Sequence, residues 1–283
     1  MRLLLTGAAG FTGRHLADAA LRNGIEVLRL QSNLTDAAAL TEEVQQLTPT
    51  HVVHLAAISA VTHADELGFY RVNVLGTDNL LKALCAMSKA PAKILLASSA
   101  NVYGNCEQSP ITESQQPAPV NHYAISKLAM EQLARMFVDR LPIVTVRPFN
   151  YTGVGHDDRF VIPKLVDHFA RKASQIELGN LEVEREFNDV RMVADAYLRL
   201  LVSGQTGATY NVCTGNPVAL KEVVNCLEKL TGHSMSVAVN PAFVRPNEIR
   251  RLSGSPTRLV EAIGPLQQYD LADTLQWMLE AGR

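Results

Sequence analysis

The chain has 283 residues, of which 47% are hydrophobic and 19% are charged, and its formal net charge is −2. This length supports one large domain or two closely joined ones, and the near-neutral charge argues against a nucleic-acid-binding protein. No apolar stretch approaches the ~20 residues that span a bilayer, and a strand predicted from Arg2 leaves no room for a signal peptide. The widely spaced Cys85, Cys106, Cys213 and Cys226 predict buried free thiols in a reducing cytosol. We therefore expect a soluble, cytoplasmic protein.

Short apolar strands alternate with helix-length segments through the first 150 residues. Strands are predicted over residues 2–6, 26–30, 51–55, 93–97 and 143–146. Helices are predicted between them, over residues 14–23, 37–46, 64–87 and 123–139. This alternation predicts parallel strands whose two faces are covered by the crossover helices. The expected fold class is α/β, with a doubly wound parallel sheet of the Rossmann type.

The sequence changes character after Pro148. A Gly-, Asp- and His-rich loop over 150–159 precedes a helix (161–172), a polar hairpin-like stretch (176–190), a helix (192–201) and a strand (209–213). Two further helices are predicted over 220–230 and 271–280. We expect a dinucleotide-binding domain over 1–150, to which 187–213 returns, and a smaller α/β substrate lobe over 151–283.

The stretch "TGAAGFTGRHL" places Gly7, Gly10 and Gly13 between the first strand and the first helix. Glycines there permit a tight turn, a close approach of a pyrophosphate to the backbone, and close packing of helix on sheet. The helix N-terminus also offers free N–H groups to phosphates. The pattern predicts a dinucleotide site, and the alternative is a structural turn.

The end of the second strand, "VLRLQSN", carries no carboxylate of the kind that binds the ribose of NAD. Arg29 and Ser32 stand there, and Arg14 follows the glycine turn. Arginine suits a 2′-phosphate, so the sequence favours NADP(H) over NAD(H). The alternative is that Arg29 is an ordinary solvated residue.

Two stretches carry hydroxyl groups that are suited to catalysis. "SSANVYG" begins at Ser98 where the fourth strand ends, and "HYAISK" places Tyr123 and Lys127 one helical turn apart. A lysine ammonium at that distance should favour the phenolate and lower the pKa of Tyr123.

In this order, the motifs resemble those of the extended short-chain dehydrogenase/reductases, and the likeness runs through the whole chain. "TGAAGFTG", "HLAA", "NVLGTDNLLKA", "SSANVYG", "YAISK" and "RPFNYTG" carry it. The resemblance implies that the catalytic residues are Ser99, Tyr123 and Lys127. It implies a cofactor site formed by Gly7, Gly10, Phe11, Gly13, Arg14, Arg29, Ser32, Asn33, Leu34, Leu55, Ala56, Ala57, Asn73, Tyr123, Lys127 and Pro148.

The second half is similar to the family members that modify GDP-mannose, above all the reductases of GDP-4-keto-6-deoxy-D-mannose. "FVIPKL", "GNLEVEREFNDVRMVADAYLRLL" and "RPNEIRRLSGSPTRL" carry this likeness. It implies a substrate site formed by Ser99, Asn101, Asn150, Lys164, Arg185, Arg245 and Glu248. Arginine forks suit a diphosphate, and a carboxylate suits a vicinal diol. Arg185, between two glutamates, could instead belong to a solvated charge cluster.

Dehydratases of this family resemble one another in an acidic residue between the catalytic hydroxyl and the Tyr-Gly pair. Ala100 and Asn101 stand there instead, and an elimination without a placed acid–base group loses roughly 10²- to 10⁴-fold in rate. The expected reaction is therefore reduction of a 4-keto sugar nucleotide, giving GDP-D-rhamnose or GDP-6-deoxy-D-talose. An NAD-dependent 4-epimerase and a non-catalytic NADP-binding protein are the alternatives.

The remaining expectations concern histidines, metals and assembly. Phe160 stands where the family's C3/C5-epimerising members resemble one another in a histidine, which argues against that activity. His54 is expected in the core, and His122 is a candidate for substrate contact. His156 is expected at the surface, and the alternative is a position near the sugar. No metal-ligand spacing is present.

The resemblance implies a homodimer through residues 64–87 and the helix that starts at Tyr123, with Val72, Leu75, Leu80 and Met130 in the interface.

Overall fold

The computed structural model describes residues 1–59, 65–243 and 250–282. A six-stranded parallel sheet forms its centre, and the order of the strands is β2-β1-β3-β4-β5-β10. The strands are β1 (Arg2–Thr6), β2 (Glu26–Arg29), β3 (His51–His54), β4 (Lys93–Ala97), β5 (Ile143–Pro148), β6 (Tyr151–Thr152), β7 (Gln175–Leu178), β8 (Glu184–Arg185), β9 (Asn188–Asp189), β10 (Thr209–Val212), β11 (Val218–Ala219), β12 (Ser236–Val239) and β13 (Arg251–Leu252). The predicted Rossmann-type α/β fold is confirmed.

Helices cover both faces of this sheet. They are α1 (Phe11–Arg22), α2 (Ala37–Leu47), α3 (Glu66–Phe69), α4 (Gly76–Cys85), α5 (His122–Arg135), α6 (Val161–Ala170), α7 (Val190–Ser203), α8 (Leu220–Thr231), α9 (Thr257–Ile263) and α10 (Leu271–Ala281). A π-helical turn (Tyr70–Leu75) joins α3 to α4, so the predicted helix over 64–87 contains a change of winding. A 3₁₀ turn (Ala100–Tyr103) follows β4.

Side chains that alternate along the strands divide the core into two layers. Leu3 and Leu5 of β1 pack with α1 and α7, whereas Leu4 between them packs with α2, α4 and α5 on the opposite face. All three leucines are fully buried, and each contributes roughly 1.5–3 kcal/mol of hydrophobic stabilisation. Apolar strands of this kind require helices on both sides, which is the arrangement found.

A separate apolar cluster fills the second lobe, where β7 and helices α6, α8 and α10 pack together. The chain returns to the first body after β9, because α7 packs on α1 and β10 pairs with β5. Helix α9 also packs in the first body, through Leu259 and Ile263, although it follows the second-lobe strands in the chain.

Three expectations about local structure are wrong. Residues 176–190 form no hairpin, because β7 pairs with β12, β8 pairs with β11 and β13, and β9 pairs with β6. Leu80 and Met130 lie fully buried in the protein's own core, so they are not available to an interface. Of the four free cysteines, only Cys213 is fully buried, and the other three are partly exposed.

A buried ion pair fastens α5 to β5. Arg147 donates from Nε and Nη2 to the Glu131 carboxylate at 2.9 and 2.6 Å, and both side chains are nearly inaccessible to solvent. The guanidinium also lies 4.8 Å from the ring centroid of Tyr103. This contact sets the position of the helix that carries Tyr123 and Lys127.

In the described ranges, no helix has both the length and the apolar character that crossing a membrane requires.

Replacing Glu131 should be costly because it leaves a guanidinium buried without its counter-charge. We predict that Glu131→Ala lowers the free energy of unfolding by about 3–5 kcal/mol. Glu26→Ala removes an exposed partner of Arg2 and should cost less than about 1 kcal/mol. Urea denaturation measures both, and equal losses in the two variants would contradict this account of the buried pair.

Candidate active site

A cavity of about 970 Å³ lies along the carboxyl edge of the parallel sheet. The segments that follow β1, β3, β4 and β5 line one side, and residues of the second lobe line the other. Ligands of open α/β sheets bind at this edge, because the loops that leave the strands converge there. Its size suits a dinucleotide together with a second ligand of similar chemistry.

Local capping interactions position the three predicted catalytic side chains. Asn121 caps α5 by accepting from the Ala124 N–H at 2.9 Å, so Tyr123 lies in the first turn and Lys127 one turn later. Lys127 Nζ donates to the Ala97 carbonyl oxygen at the end of β4, at 2.7 Å. Ser99 caps the 3₁₀ turn that follows this strand. The structure thus brings Ser99, Tyr123 and Lys127 together in the cavity wall.

The Tyr123 phenol is held in its neutral form. Burial raises its pKa to about 12, although a hydrogen bond with the Ser99 side chain lowers it. The expectation that Lys127 lowers the pKa of Tyr123 is wrong, because desolvation outweighs the other influences on the phenol. At neutral pH Tyr123 therefore carries a proton that it can donate.

Lys127 is destabilised as an ammonium ion. Burial lowers its pKa to about 8, while the Glu131 carboxylate one turn along α5 raises it. His54 behaves as expected for a core histidine, with Thr6 Oγ1 at 2.7 Å and Thr77 Oγ1 at 2.9 Å from its ring nitrogens. Burial lowers the pKa of His54 to about 3, so this neighbour of Lys127 is uncharged.

The glycine turn fits a dinucleotide. Gly7 has a φ of +68°, and a Cβ on Gly13 would lie 2.2 Å from the Gly7 carbonyl oxygen, so the helix packs against the turn only because this side chain is missing. Helix α1 has no capping side chain and no acidic residue in its first turn. Its N-terminal N–H groups thus remain suited to a pyrophosphate. Cavity-lining residues of the predicted cofactor set are Gly7, Gly10, Phe11, Gly13, Arg14, Leu55, Ala56, Ala57, Tyr123, Lys127 and Pro148.

The rest of the predicted cofactor set lies outside the cavity wall, and much of it is bonded within the protein. Asn73 is buried and donates to the Ile58 carbonyl and to Ser126. Leu34 is also buried, whereas Arg29 and Asn33 are exposed.

The expectation that no carboxylate stands at the tip of β2 is wrong, because Glu43 reaches it from α2. The Glu43 carboxylate accepts from the Gln31 and Ser32 N–H groups at 2.8 and 2.7 Å.

The predicted substrate residues are only partly brought together. Asn101, Asn150 and Arg185 line the cavity with Ser99. Lys164 lies outside it, donates to the Glu177 carbonyl oxygen at 3.0 Å and sits over the Phe243 ring. Arg245 and Glu248 lie outside the described residues. His122, a candidate for substrate contact, bonds instead to the Tyr70 hydroxyl and lies 3.2 Å from a Glu66 carboxylate oxygen.

Several cavity residues were not predicted from the sequence. The loop after β6 contributes His156, whose ring stacks between Phe11 and Phe160 with centroid separations of 4.4 Å on each side. These two aromatic rings hold His156 half-buried in the cavity wall, which favours the alternative position near the substrate over the expected position at the surface. The clustering of glycines in "GVGHDD" was the signal for a loop near the site. The other unpredicted polar or aromatic lining residues are Thr12, Ser59, Ser98, Asn105, Asn121, Phe149, Tyr151, Asp157 and Arg159.

The charges that line the cavity are mainly positive. Arg14, Arg159, Arg185 and Lys127 contribute cations, and among the described residues of the wall Asp157 is the only carboxylate. Hydrogen bonds from the Arg159 side chain lower the pKa of Asp157 to about 2, so it is ionised and paired at neutral pH. The described residues of the wall therefore favour an anionic ligand, and none of them offers a carboxylic acid to donate a proton.

Comparison with known proteins places this architecture in one family. The sequence profile of the NAD dependent epimerase/dehydratase family matches residues 3–213. The chain is 34% identical to a GDP-6-deoxy-D-talose 4-dehydrogenase of Aggregatibacter actinomycetemcomitans, over 93% of this chain and 92% of that one. It is 35% identical to a GDP-6-deoxy-D-mannose reductase of Pseudomonas aeruginosa, over 98% and 96%. The solved structure of RMD from Pseudomonas aeruginosa complexed with NADPH superposes with a TM-score of 0.92 at 34% identity, over 99% and 98% of the two chains. The chain belongs to the NAD dependent epimerase/dehydratase family.

The lowered pKa of Lys127 makes a testable contribution to stability. Its pKa rises from about 8 to its ordinary value on unfolding, so between these values the unfolded chain binds more protons. The free energy of unfolding should therefore rise with pH across this window, by up to about 3 kcal/mol relative to Lys127→Met, which cannot titrate. Chemical denaturation of both proteins from pH 7 to pH 10 measures this. A constant difference between them would show that burial does not shift this lysine.

Proposed function

We propose that the protein is an oxidoreductase that reduces the keto group of a GDP-linked 4-keto-6-deoxyhexose with a nicotinamide cofactor. The observation that carries this proposal is the convergence of Ser99, Tyr123 and Lys127 in a cationic cavity beside the glycine turn. The 3₁₀ turn after Ser99 supports reduction over dehydration, because Ala100 and Val102 are buried and Asn101 cannot act as an acid. A 4-keto sugar requires a proton and a hydride, and no further acid–base group.

The roles of the three residues follow from their protonation and contacts. A nicotinamide cofactor held at the glycine turn would supply the hydride that the carbonyl carbon requires. Tyr123, neutral at pH 7, donates its proton to the developing alkoxide, and the Ser99 hydroxyl supplies a hydrogen bond to the same oxygen. The Lys127 ammonium, held on the Ala97 carbonyl one helical turn from Tyr123, contributes positive charge to the cavity wall where the alkoxide forms.

The substrate class rests on charge and on the two curated relatives. The guanidinium groups of Arg159 and Arg185 line the end of the cavity formed by the second lobe and suit a diphosphate. The relatives act on GDP-6-deoxy-D-talose and on GDP-6-deoxy-D-mannose, which differ at C4. The proposed product is therefore GDP-D-rhamnose or GDP-6-deoxy-D-talose. The face of the C4 carbonyl that is turned towards the nicotinamide decides between the two.

We propose NADPH as the preferred reductant. The exposed Arg29 at the end of β2 supports this, as does the NADPH complex of the structural relative. Glu43 contributes a nearby negative charge, but two backbone N–H groups stabilise it, and the hydrogen bonds with Ser32 and Gln31 lower its pKa against the effect of burial. The Glu43 carboxylate thus binds the backbone of the loop after β2. Arg29 is the cation at the end of β2 that suits a 2′-phosphate.

A homodimer is also proposed, as the family resemblance implies. Leu67, Leu75 and Ile125 are the exposed apolar residues on the α3–α4 segment and on α5, at 69%, 55% and 39% exposure. These replace Leu80 and Met130 as the apolar contacts of the proposed interface. Pairing the two segments with those of a second copy would bury these side chains in a four-helix contact.

The reaction itself is the test of the proposed function. Incubation of the enzyme with GDP-4-keto-6-deoxymannose should oxidise NADPH and yield a GDP-6-deoxyhexose, measured by absorbance at 340 nm and by NMR of the product. Tyr123→Phe should lose more than about 90% of kcat, because it removes the proton donor, and should bind NADPH as the wild type does. A variant that retained more than about a tenth of kcat would exclude Tyr123 as the donor. Absence of NADPH oxidation by the wild type would contradict the reductase.

Cofactor preference is tested by titration of the protein with NADPH and NADH. Each charge-assisted hydrogen bond contributes roughly 1.5–3 kcal/mol, so Arg29→Ala should weaken NADPH binding by about ten- to a hundredfold and leave NADH nearly unchanged. Arg22→Ala is the control. Arg22 is the last residue of α1, at the end away from the glycine turn, and its replacement should change the affinity for neither cofactor. A loss of less than about twofold for both cofactors in Arg29→Ala would show that this arginine points into solvent.

A further inference from the structure

The first two turns of α1 are bonded to residues 151–160, which comprise β6 and the loop that follows it. Thr12 Oγ1 and the Tyr151 hydroxyl share a hydrogen bond of 2.7 Å. His15 Nε2 donates to the Val154 carbonyl oxygen at 2.8 Å. These contacts span about 140 residues of chain, and they join the glycine turn directly to the beginning of the second lobe.

An aromatic stack reinforces this junction. The rings of Phe11 and His156 are nearly parallel, with an interplanar angle of 10°, and Phe160 covers the other face of the histidine. Burial lowers the pKa of His156 to about 4, against the opposing effect of Asp157, so at neutral pH the ring stacks without charge. The stack continues from the cofactor turn to the residue that precedes α6.

Arg14 closes the junction from the solvent side. Its Nη1 donates to the Ala9 carbonyl oxygen at 2.8 Å, and its Nη2 donates to the Gly155 carbonyl oxygen at 2.9 Å. One guanidinium thus holds the glycine turn and the loop together. Gly155 has a φ of +78°, and a Cβ there would lie 3.0 Å from Nη2, so a glycine permits this close approach.

We propose that Arg14 is a positioning residue that couples the dinucleotide site to the substrate end of the cavity. Residues of the glycine turn and residues 155–157, 159 and 160 of the loop line the same cavity. A dinucleotide that fixes the turn therefore also restricts the loop, because the guanidinium, the two hydrogen bonds and the stack connect them. This inference rests on the proposed function in that it places the dinucleotide at the glycine turn. This positioning role of Arg14 is additional to its predicted contact with the 2′-phosphate.

Hydrogen–deuterium exchange on the full chain, with and without saturating NADPH, tests this coupling. In the wild type NADPH should slow exchange of the amides in 7–14 and, by about fivefold or more, those in 153–160. Arg14→Met should keep the protection of 7–14, since most of the cofactor contacts remain, and should reduce the protection of 153–160 by at least about half, although the two hydrogen bonds and the stack remain. Gly155→Ala breaks the same contact from the other side and should give the same loss. Arg14→Lys, which keeps a cationic donor, should restore part of it.

The control and the opposing outcomes separate this coupling from the proposed cofactor site. Arg22→Met, in the last turn of the same helix, should behave as the wild type. Full protection of 153–160 in Arg14→Met would overturn the coupling and leave the proposed function intact. If NADPH protected neither segment in the wild type, both the coupling and the assignment of the cofactor site would fall.

Discussion

The hydrogen bond from Lys127 to the Ala97 carbonyl is the contact on which the site depends. It joins the second turn of α5 to the last residue of β4, and therefore fixes Tyr123 relative to Ser99. The buried Arg147–Glu131 pair holds the next turn of the same helix to β5. Two neighbouring strands thus position one helix, and this rigidity is what a constellation of reacting groups requires.

Burial in this region determines the chemistry as well as the geometry. It keeps the Tyr123 phenol protonated and makes the Lys127 ammonium less stable than in water. The buried ammonium costs stability at neutral pH, as is common where a protein holds ionisable groups for catalysis, whereas the phenol is neutral in the folded and the unfolded chain near pH 7 and its raised pKa costs none there. The opposite end of the cavity differs, because Arg159 is exposed and Arg185 is half-buried there, and both suit an anionic ligand. One cavity therefore contains a dry reaction centre and a wetter region for phosphates.

The sequence predicted those features that depend on local pattern. Apolar runs gave the bounds of β1 and β4 without error, and the spacing of Tyr123 and Lys127 placed both on one face of α5. Features that depend on distant contacts were missed. The Glu43 side chain on α2 bonds to the backbone at the end of β2, but the sequence pattern of α2 shows Glu43 only as a glutamate on the solvent side of that helix. His156 enters the cavity wall because Phe11, far away in the chain, stacks on it. The pairing of β7 with β12 could not be read from a polar stretch that looked like a hairpin.

In the proposed reaction, this site transfers a hydride to C4 of a keto sugar and releases the reduced product. The most direct measurement uses NADPH labelled with deuterium on the transferred position of the nicotinamide, with GDP-4-keto-6-deoxymannose as substrate. We expect deuterium at C4 of the product by NMR, in proportion to the NADPH oxidised. Turnover without deuterium in the sugar and without net oxidation of NADPH, as in an epimerase that recycles its cofactor, would contradict it.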